Sequence, residues 1–417
     1  MANARGMGLI HDWAAPSERS KERRAVVVND ETLRDGIQSS SVTDPPVEQK
    51  LRLLHLMERL GIEHACIGLP GAGPRQREAV EGLCREIATE RMRVRPNCAG
   101  RTHRDDIRPM LDIRQETGVD IEVCVFTGSS PIRRYTEGWT VEQLLERTRD
   151  AVSFAAGEGA DVMFVTEDTT RSTPAILRQL YTAAIESGAK RICLCDTVGA
   201  AVPAGVKSLV AWTRRLVESL GVDVGIDFHG HRDRGLGLAN TLAAAEAGAT
   251  RVHATALGVG ERVGNAAMEE VLVNLWLLGL RTGDLEALPE YAQVASSALD
   301  VPIPTTHPIV GRDAFRTATG VHASAILKAQ ATGDAWLVDN VYSGVPASRI
   351  GREQEVEIGP MSGASNVIHF LRSRGLSHDP ALVESVLAHA KRAERTLTER
   401  EIRALLREPA TREQAAT

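Results

Sequence analysis

Long hydrophobic runs are missing from this sequence of 417 residues, and so is any marked excess of one charge. No apolar stretch approaches the roughly 20 residues that a membrane-spanning helix needs, and residues 1–24 lack the apolar core of a signal peptide. A formal net charge of -6 gives no basic surplus that would attract nucleic acid or an anionic membrane. These absences predict a cytoplasmic protein with neither nucleic acid nor membrane as its partner.

Cysteine is also scarce, and the six cysteines show neither zinc-type pairing nor the dense spacing of a disulfide-rich protein. Cys66, Cys124, Cys193 and Cys195 lie within apolar, strand-like runs, so we expect buried free thiols there. The composition is otherwise ordinary, with 43% hydrophobic and 25% charged residues. A chain of this length and composition can form one large domain and a smaller appendage.

Eight short apolar runs precede residue 280, and a longer segment with helical periodicity follows each of them. Their number and order predict an α/β fold, a (β/α)8 TIM barrel, followed by a smaller, mostly helical C-terminal subdomain. A doubly wound open sheet would also alternate, but the count of eight favours the barrel. The strands are predicted at 25–29, 64–69, 94–99, 121–127, 161–166, 191–196, 223–231 and 251–257.

The alternation ends beyond Leu280, where Pro302, Pro304 and Pro308 indicate an extended linker. We therefore expect five regions. They are an N-terminal extension at 1–24, the barrel at 25–285, a linker at 286–310, the helical subdomain at 311–407 and a tail at 408–417.

Polar residues cluster after the predicted strands, which is where TIM barrels carry their chemistry. His229 and His231 are two positions apart in strand seven, so their side chains share a face and can bind one metal ion. Asp35, after strand one, is near strand seven in a closed barrel and is a sensible third ligand. This set suits Mg²⁺, Mn²⁺, Co²⁺ or Zn²⁺. An isolated His-x-His is more often structural, and Arg34 beside Asp35 would also fit a plain ion pair, but placement at strand ends favours a metal site.

Three segments resemble the signatures of the DRE-TIM metallolyases: 31–38 (ETLRDGIQ), 229–231 (HGH) and 260–265 (GERVGN). The third is similar to the glycine loop of the isopropylmalate, homocitrate and citramalate synthases. The loops at 101–106 and 127–130 resemble homocitrate synthase most, and 308–311 with 320–328 resemble the family's C-terminal subdomain. The resemblance spans about residues 25 to 407.

The resemblance implies an acyltransferase of amino-acid biosynthesis that condenses acetyl-CoA, or a close acyl-CoA, with a 2-oxo acid and releases CoA. It also implies a divalent metal cofactor and a homodimer in which one chain's subdomain covers the other chain's barrel. The implied site residues are Asp35, His229, His231 and Asn265 at the metal, Arg34, Glu167 and His322 in catalysis, and Gln38, His103, Ser129 and Thr197 at the substrates.

Individual roles follow from the same resemblance. Arg34 would hold the 2-oxo group, and Thr197 would hold the carboxylate of the 2-oxo acid. His322, working with Glu167, would promote removal of the methyl proton of the acyl-CoA. Asn265 would be a further metal ligand or a near neighbour of the metal.

The sequence departs from the family at three places. Cys66 stands where the family usually has a Glu, so the contacts made there must differ. Gly333 stands where a Tyr often follows the subdomain histidine, so either Tyr342 substitutes for it or the proton relay is altered. Pro360 and Met361 replace a Lys-His pair.

Other readings remain open from the sequence. A lyase related to hydroxymethylglutaryl-CoA lyase would need a cysteine in the loop after strand eight, and 259–265 contains none. A homologue that only binds a 2-oxo acid and a non-haem iron oxygenase are further alternatives. The acceptor acid is open, although the homocitrate-like loops favour a dicarboxylic acid with His103, Arg101 or Arg133 at its distal carboxylate.

Overall fold

A closed barrel of eight parallel strands forms the centre of the computed structural model, which describes residues 8–11 and 25–407. Strands β1 to β8 are neighbours in chain order, and β1 pairs with β8 from Val27–Arg251 to Asp30–Ala254, which closes the barrel. The predicted TIM barrel is therefore confirmed. Its strands are β1 (Val27–Asp30), β2 (His64–Cys66), β3 (Arg95–Arg101), β4 (Glu122–Gly128), β5 (Val162–Glu167), β6 (Arg191–Asp196), β7 (Gly225–Gly230) and β8 (Arg251–Ala254).

Helices follow the strands and form the outer layer of the barrel. Local sequence sets several of their ends: a capping box of Thr140 and Gln143 begins α5, and Gly118 and Gly248, both at positive φ, end α3 and α8. The helices of this layer are α1 (Val47–Arg59), α2 (Pro74–Glu90), α3 (Arg104–Thr117), α4 (Pro131–Glu137), α5 (Val141–Gly157), α6 (Pro174–Glu186), α7 (Pro203–Ser219), α8 (Gly237–Ala247), α9 (Met268–Leu277) and α10 (Leu288–Leu299).

Helix α10 occupies the first half of the predicted linker at 286–310, so the barrel layer continues past residue 285. The segment folds because Leu288, Tyr291, Ala295 and Leu299 lie on one helical face and are buried in the main core. The proline-rich part that follows has no helix or strand between residues 301 and 310. Helical periodicity in this segment is the signal that the prolines obscured.

The region from residue 311 onward is mostly helical, as predicted, and has a small core of its own built on Val367, Phe370, Leu371, Val383 and Val386. Its elements are β9 (Arg316–Thr317), α11 (Gly320–Ala331), α12 (Ala335–Asn340), β10 (Glu355–Val356), α13 (Ala364–Ser373), α14 (Pro380–Ala390) and α15 (Glu399–Leu405). The predicted extension at 1–24, apart from 8–11, and the tail at 408–417 lie outside the described residues. Across the residues that the structure describes, no helix has both the length and the apolar character needed to cross a membrane.

The interior of the barrel is layered along its axis. At the N-terminal ends of the strands, the fully buried Arg251 is paired with Asp227 and with Glu122 and lies 2.9 Å (Nη1 to Nδ1) from His64. Such a buried cation is tolerated only with partners at hydrogen-bonding distance. A cluster of small and sulfur-containing side chains, including Cys66, lies above these charged residues, and above that cluster the strands open into a cavity. All six cysteines are buried and free, as expected for the four in strand-like runs.

Candidate metal centre and active site

Asp35, His229 and His231 converge at the C-terminal mouth of the barrel. The Oδ2 atom of Asp35 lies 3.2 Å from Nε2 of His229 and 3.4 Å from Nε2 of His231, and the two Nε2 atoms are 3.4 Å apart. All three residues are buried. The alternation of side chains along β7 directs both imidazoles inward, and the turn after β1 brings in the carboxylate.

These separations are those of ligands around one small cation. Nitrogen and oxygen atoms placed 2.0–2.2 Å from a common ion lie about 3.0–3.4 Å from one another in octahedral or tetrahedral geometry. Two neutral imidazoles and a carboxylate are a donor set suited to a divalent metal ion. The residues present therefore fit the metal that the sequence predicted.

Nδ1 of His231 and Oδ1 of Asn265 are buried polar atoms of this site that have no hydrogen-bond partner among the described residues. Asn265 instead donates from Nδ2 to Oδ2 of Asp35 at 2.8 Å. Since the oxygen and nitrogen of an amide are assigned and not observed, exchanging them would direct an oxygen at the same point. Asn265 thus lies where a further ligand or near neighbour was predicted.

The electrostatics of the site keep its ligands ready for a cation. Burial acts to raise the pKa of Asp35, but the Arg34 guanidinium and the two histidines outweigh it and hold that pKa well below its usual range. Burial, together with His229, lowers the pKa of His231 to about 4. At neutral pH the site is therefore an ionised carboxylate facing neutral His231, the protonation states that metal binding requires.

Arg34 lies beside the metal ligands and is fixed in place by Glu31. Its Nε and Nη2 atoms donate to Oε2 of Glu31 at 2.9 and 2.5 Å, and Nη1 is 3.8 Å from Oδ1 of Asp35. Burial acts to raise the pKa of Glu31, but Arg34 and His253 hold it at about 2. Cys66, which replaces the family's usual Glu on β2, lies close enough that Glu31 and Arg34 both influence its thiol. Arg34 is therefore oriented by a carboxylate at the end of β1.

Glu31 and His253 are site residues that the sequence interpretation did not select. His253 lies between two carboxylates, with Nδ1 3.0 Å from Oε1 of Glu31 and Nε2 2.9 Å from Oδ2 of Asp227. Glu31, His229 and His253 are also near enough to form a second candidate metal set. Of the two sets, the Asp35 set is the freer to bind an ion, because Glu31 is engaged by Arg34 and His253 by Asp227. The inward period-two position of His253 after Arg251 on β8 was the signal available in the sequence.

Glu167, Thr197 and Gln38 line the cavity above the metal ligands. The hydroxyl of Thr197 accepts the backbone N–H of Asp168 at 2.8 Å, which leaves its own hydrogen to donate into the cavity. Burial raises the pKa of Glu167, despite the opposing effect of Arg133 and Arg34. A carboxyl with a raised pKa is a better proton acceptor than an exposed one, which suits it to proton transfer.

Two predicted substrate ligands, Ser129 and His103, are not among the cavity's lining residues. Ser129 is fully buried, and its hydroxyl donates to the carbonyl of Glu167 at 2.9 Å and pairs with Ser172, so it links the ends of β4 and β5. His103 is 63% exposed and accepts the backbone N–H of Asp105 at the start of α3. Capping of the N-terminus of α3 explains the position of the His103 side chain, and the sequence interpretation did not consider this role.

His322 lies in α11 and stacks on Tyr342, with ring centroids 4.0 Å apart and an interplanar angle of 27°. Thr317 Oγ1 is 3.4 Å from its Nδ1 atom. The residues that line the cavity all precede residue 263, so within the described part of one chain His322 does not reach Glu167. Tyr342 thus accompanies the subdomain histidine in a chain that has Gly333 at the usual Tyr position.

The cavity has two chemically different sides. The side built by β1, β7 and β8 carries the metal ligands, Arg34 and His253. The side built by β2 to β6 is apolar below its rim and is formed mainly by Cys66, Cys124, Phe126, Met163, Cys193 and Cys195. The arrangement can hold a polar reacting group on one side and a hydrocarbon group on the other.

Comparison with known proteins identifies relatives of this chain. A family model described as HMGL-like matches residues 25–294. Homocitrate synthase AksA of Methanopyrus kandleri is 35% identical over 370 residues, which cover 88% of this chain and 87% of the relative. A probable 2-isopropylmalate synthase of Ignicoccus hospitalis is 32% identical over 374 residues, 88% of each chain. The solved HMG-CoA lyase of Bacillus subtilis is similar in fold, with a TM-score of 0.55 at 22% identity over 68% of this chain and 97% of that chain.

Proposed function

Because this chain belongs to the HMGL-like family, and within it to the homocitrate, citramalate and 2-isopropylmalate synthases, we infer that it is an acyltransferase of the condensing type. It joins the methyl carbon of acetyl-CoA, or of a close acyl-CoA, to the ketone carbon of a 2-oxo acid. The products are a 2-hydroxy dicarboxylic or tricarboxylic acid and free CoA. A lyase is not favoured, because the loop after β8 has no cysteine between residues 259 and 265.

The observation that carries the proposal is the convergence of Asp35, His229 and His231 beside Arg34 at the cavity mouth. A divalent cation held there would polarise the ketone of a 2-oxo acid as a Lewis acid. Arg34 adds fixed positive charge where the alkoxide develops, and Glu31 prevents it from turning away. Thr197 is placed to donate its hydroxyl hydrogen to the carboxylate of the acid.

The methyl group of a thioester is a very weak acid, so the reaction needs a positioned base. Glu167 is the carboxylate on the opposite rim of the cavity, and its raised pKa makes it a stronger base than an exposed glutamate. It takes the methyl proton, the resulting enolate carbon forms a bond to the ketone carbon, and the alkoxide takes up a proton. Water then cleaves the thioester and releases CoA as the thiol.

His322 enters this scheme through a homodimer. It lies outside the cavity of its own chain, paired with Tyr342, in a region that resembles the covering subdomain of the family. We propose that the subdomain of one protomer places this pair over the barrel of the other, where His322 assists Glu167 in proton transfer. Tyr342 takes the place of the tyrosine that the family has eleven positions after the histidine.

The proposal is tested by incubating the purified protein with Mg²⁺ or Mn²⁺, acetyl-CoA and single 2-oxo acids. CoA release is followed with a thiol reagent, and the product is identified by mass. We expect stoichiometric thiol and a product heavier than the 2-oxo acid by the acetate unit. Binding of a 2-oxo acid without thiol release, or cleavage of a hydroxyacyl-CoA in its place, would contradict it.

A further inference from the structure

We propose that the acceptor is a monocarboxylic 2-oxo acid with an apolar side chain, bound with that side chain against the wall formed by β2 to β6. This inference rests on the proposed function, since it names the acceptor class of the condensing site. It differs from the dicarboxylic acceptor that the homocitrate-like loops favoured in the sequence. It rests on the distribution of charge around the cavity, which the sequence did not show.

The orientation of the acceptor follows from the two sides of the cavity. The carboxylate and ketone of a 2-oxo acid are its anionic, chelating end, and they belong with Asp35, the histidines and Arg34. The third carbon and everything beyond it must then point across the barrel. There it meets Cys66, Cys124, Phe126, Met163 and Cys195, which pack together as one apolar cluster.

Among the described residues that line this wall, none is a lysine, an arginine or a histidine. Within the same set, Glu167 at the rim is the only charged member, and it would repel a second carboxylate of the substrate. A carboxylate buried against such a wall without a partner is strongly disfavoured, whereas a methyl or isopropyl group gains from leaving water. The wall therefore selects by charge first and by size second.

The cationic side chains around this wall already have other partners or lie outside the cavity lining. Arg262 at the rim donates to Asp233 at 2.8 Å and to the carbonyl of Thr197 at 2.6 Å. Of the three residues that would have served a distal carboxylate, Arg101 is paired with Asp106 at 2.8 Å and lies outside the cavity lining, as His103 does. The third, Arg133, is 45% exposed and paired with Glu137 at 2.7 Å. It lines a neighbouring pocket with Glu167 and Thr197, where its charge acts on Glu167, and it is not among the residues that line the apolar wall.

The first test compares acceptors with the unmodified protein in the presence of Mn²⁺. We expect kcat/KM for 2-oxoisovalerate, 2-oxobutyrate or 4-methyl-2-oxopentanoate to exceed that for 2-oxoglutarate and oxaloacetate by at least about 100-fold. Binding of the same acids, measured by calorimetry without acetyl-CoA, should rank them in the same order. CoA release that is fastest with a dicarboxylic acid would overturn this inference and leave the proposed function standing. If no acid releases CoA, the proposed function fails, and the calorimetric ranking alone decides the inference.

The second test changes the wall itself. Phe126→Ala enlarges it and should shift the kcat/KM ratio of 4-methyl-2-oxopentanoate to 2-oxobutyrate upward by about tenfold, while Cys195→Leu narrows it and should shift that ratio downward. Val125→Ala is the matched control, because Val125 is adjacent on β4 but is buried in the outer core and does not line the cavity. Its ratio should equal that of the unmodified protein. An unchanged ratio in both wall variants, or an equal shift in the control, would refute the assignment.

Discussion

Replacing Glu31 by glutamine tests whether this residue positions Arg34. The carboxylate of Glu31 is buried and accepts two N–H groups of Arg34, at 2.9 and 2.5 Å. Glutamine keeps one oxygen but removes the charge, so the guanidinium loses a charge-assisted pair and turns more freely toward Asp35. A hydrogen bond between charged groups contributes about 1.5–3 kcal/mol.

If about 2–3 kcal/mol of this is spent on holding Arg34 where alkoxide charge develops, kcat should fall about 30- to 160-fold. KM for acetyl-CoA should stay unchanged, because Glu31 is not assigned to that substrate. A double-mutant cycle with Arg34→Lys should show strong non-additivity, since both changes disrupt the same pair.

Glu122→Gln is the matched control for this substitution. Glu122 pairs with the buried Arg251 at 2.6 Å at the opposite end of the same barrel. We expect this control to lower the free energy of unfolding and to leave kcat unchanged. Full retention of kcat in Glu31→Gln, or an equal fall of kcat in both variants, would show that the reasoning about Glu31 is wrong.

Three further outcomes are expected. Glu167→Gln should lower kcat about 10²- to 10⁴-fold and remove the acid limb of the pH profile. A base with a raised pKa is active above that pKa and loses activity as the pH falls, so an unchanged acid limb would contradict this role. Inactive His322→Ala and inactive His229→Ala chains should regain about a quarter of the activity when they are mixed so that protomers exchange between dimers, if each site uses both chains. They should regain none if each chain is self-sufficient. Burial raises the pKa of Glu269 from 4.5 to about 7, so the protein should lose about 3 kcal/mol of stability from this group as the pH rises between these values. Denaturant unfolding at pH 5 and pH 8 should show a loss, and in Glu269→Gln the loss should be clearly smaller, the remainder coming from groups such as Asp30, whose pKa burial raises to about 6.

The sequence predicts the barrel well because strand alternation and helical periodicity are local. Period-two spacing was enough to bring His229 and His231 to one face, and strand order was enough to place Asp35 beside them. The ends of β2 and β8 were predicted too late in the chain, because the apolar residues beyond Cys66 and Ala254 continue as loop and 3-10 turns. Apolar character does not separate a buried turn from a strand.

The contents of the cavity could not be read from local pattern. Glu31 and Arg34 are only three residues apart, but their pairing beside Cys66 of β2 depends on how the turn after β1 folds. Ser129 and His103 were predicted as substrate ligands from loops that resemble homocitrate synthase, yet neither lines the cavity. Ser129 bonds to the end of β5 and to Ser172, and His103 caps α3. Position after a strand predicts nearness to the mouth of a barrel, but it does not predict which way a side chain turns.

The most direct test of the metal centre is a calorimetric titration of the chelator-treated protein with Mn²⁺. The geometry around Asp35, His229 and His231 predicts one ion bound per chain, with binding lost in His229→Ala and retained in His253→Ala. An unaltered binding isotherm in His229→Ala would contradict the account. So would loss of binding in His253→Ala, because the ion would then belong to the set of Glu31, His229 and His253, which shares His229.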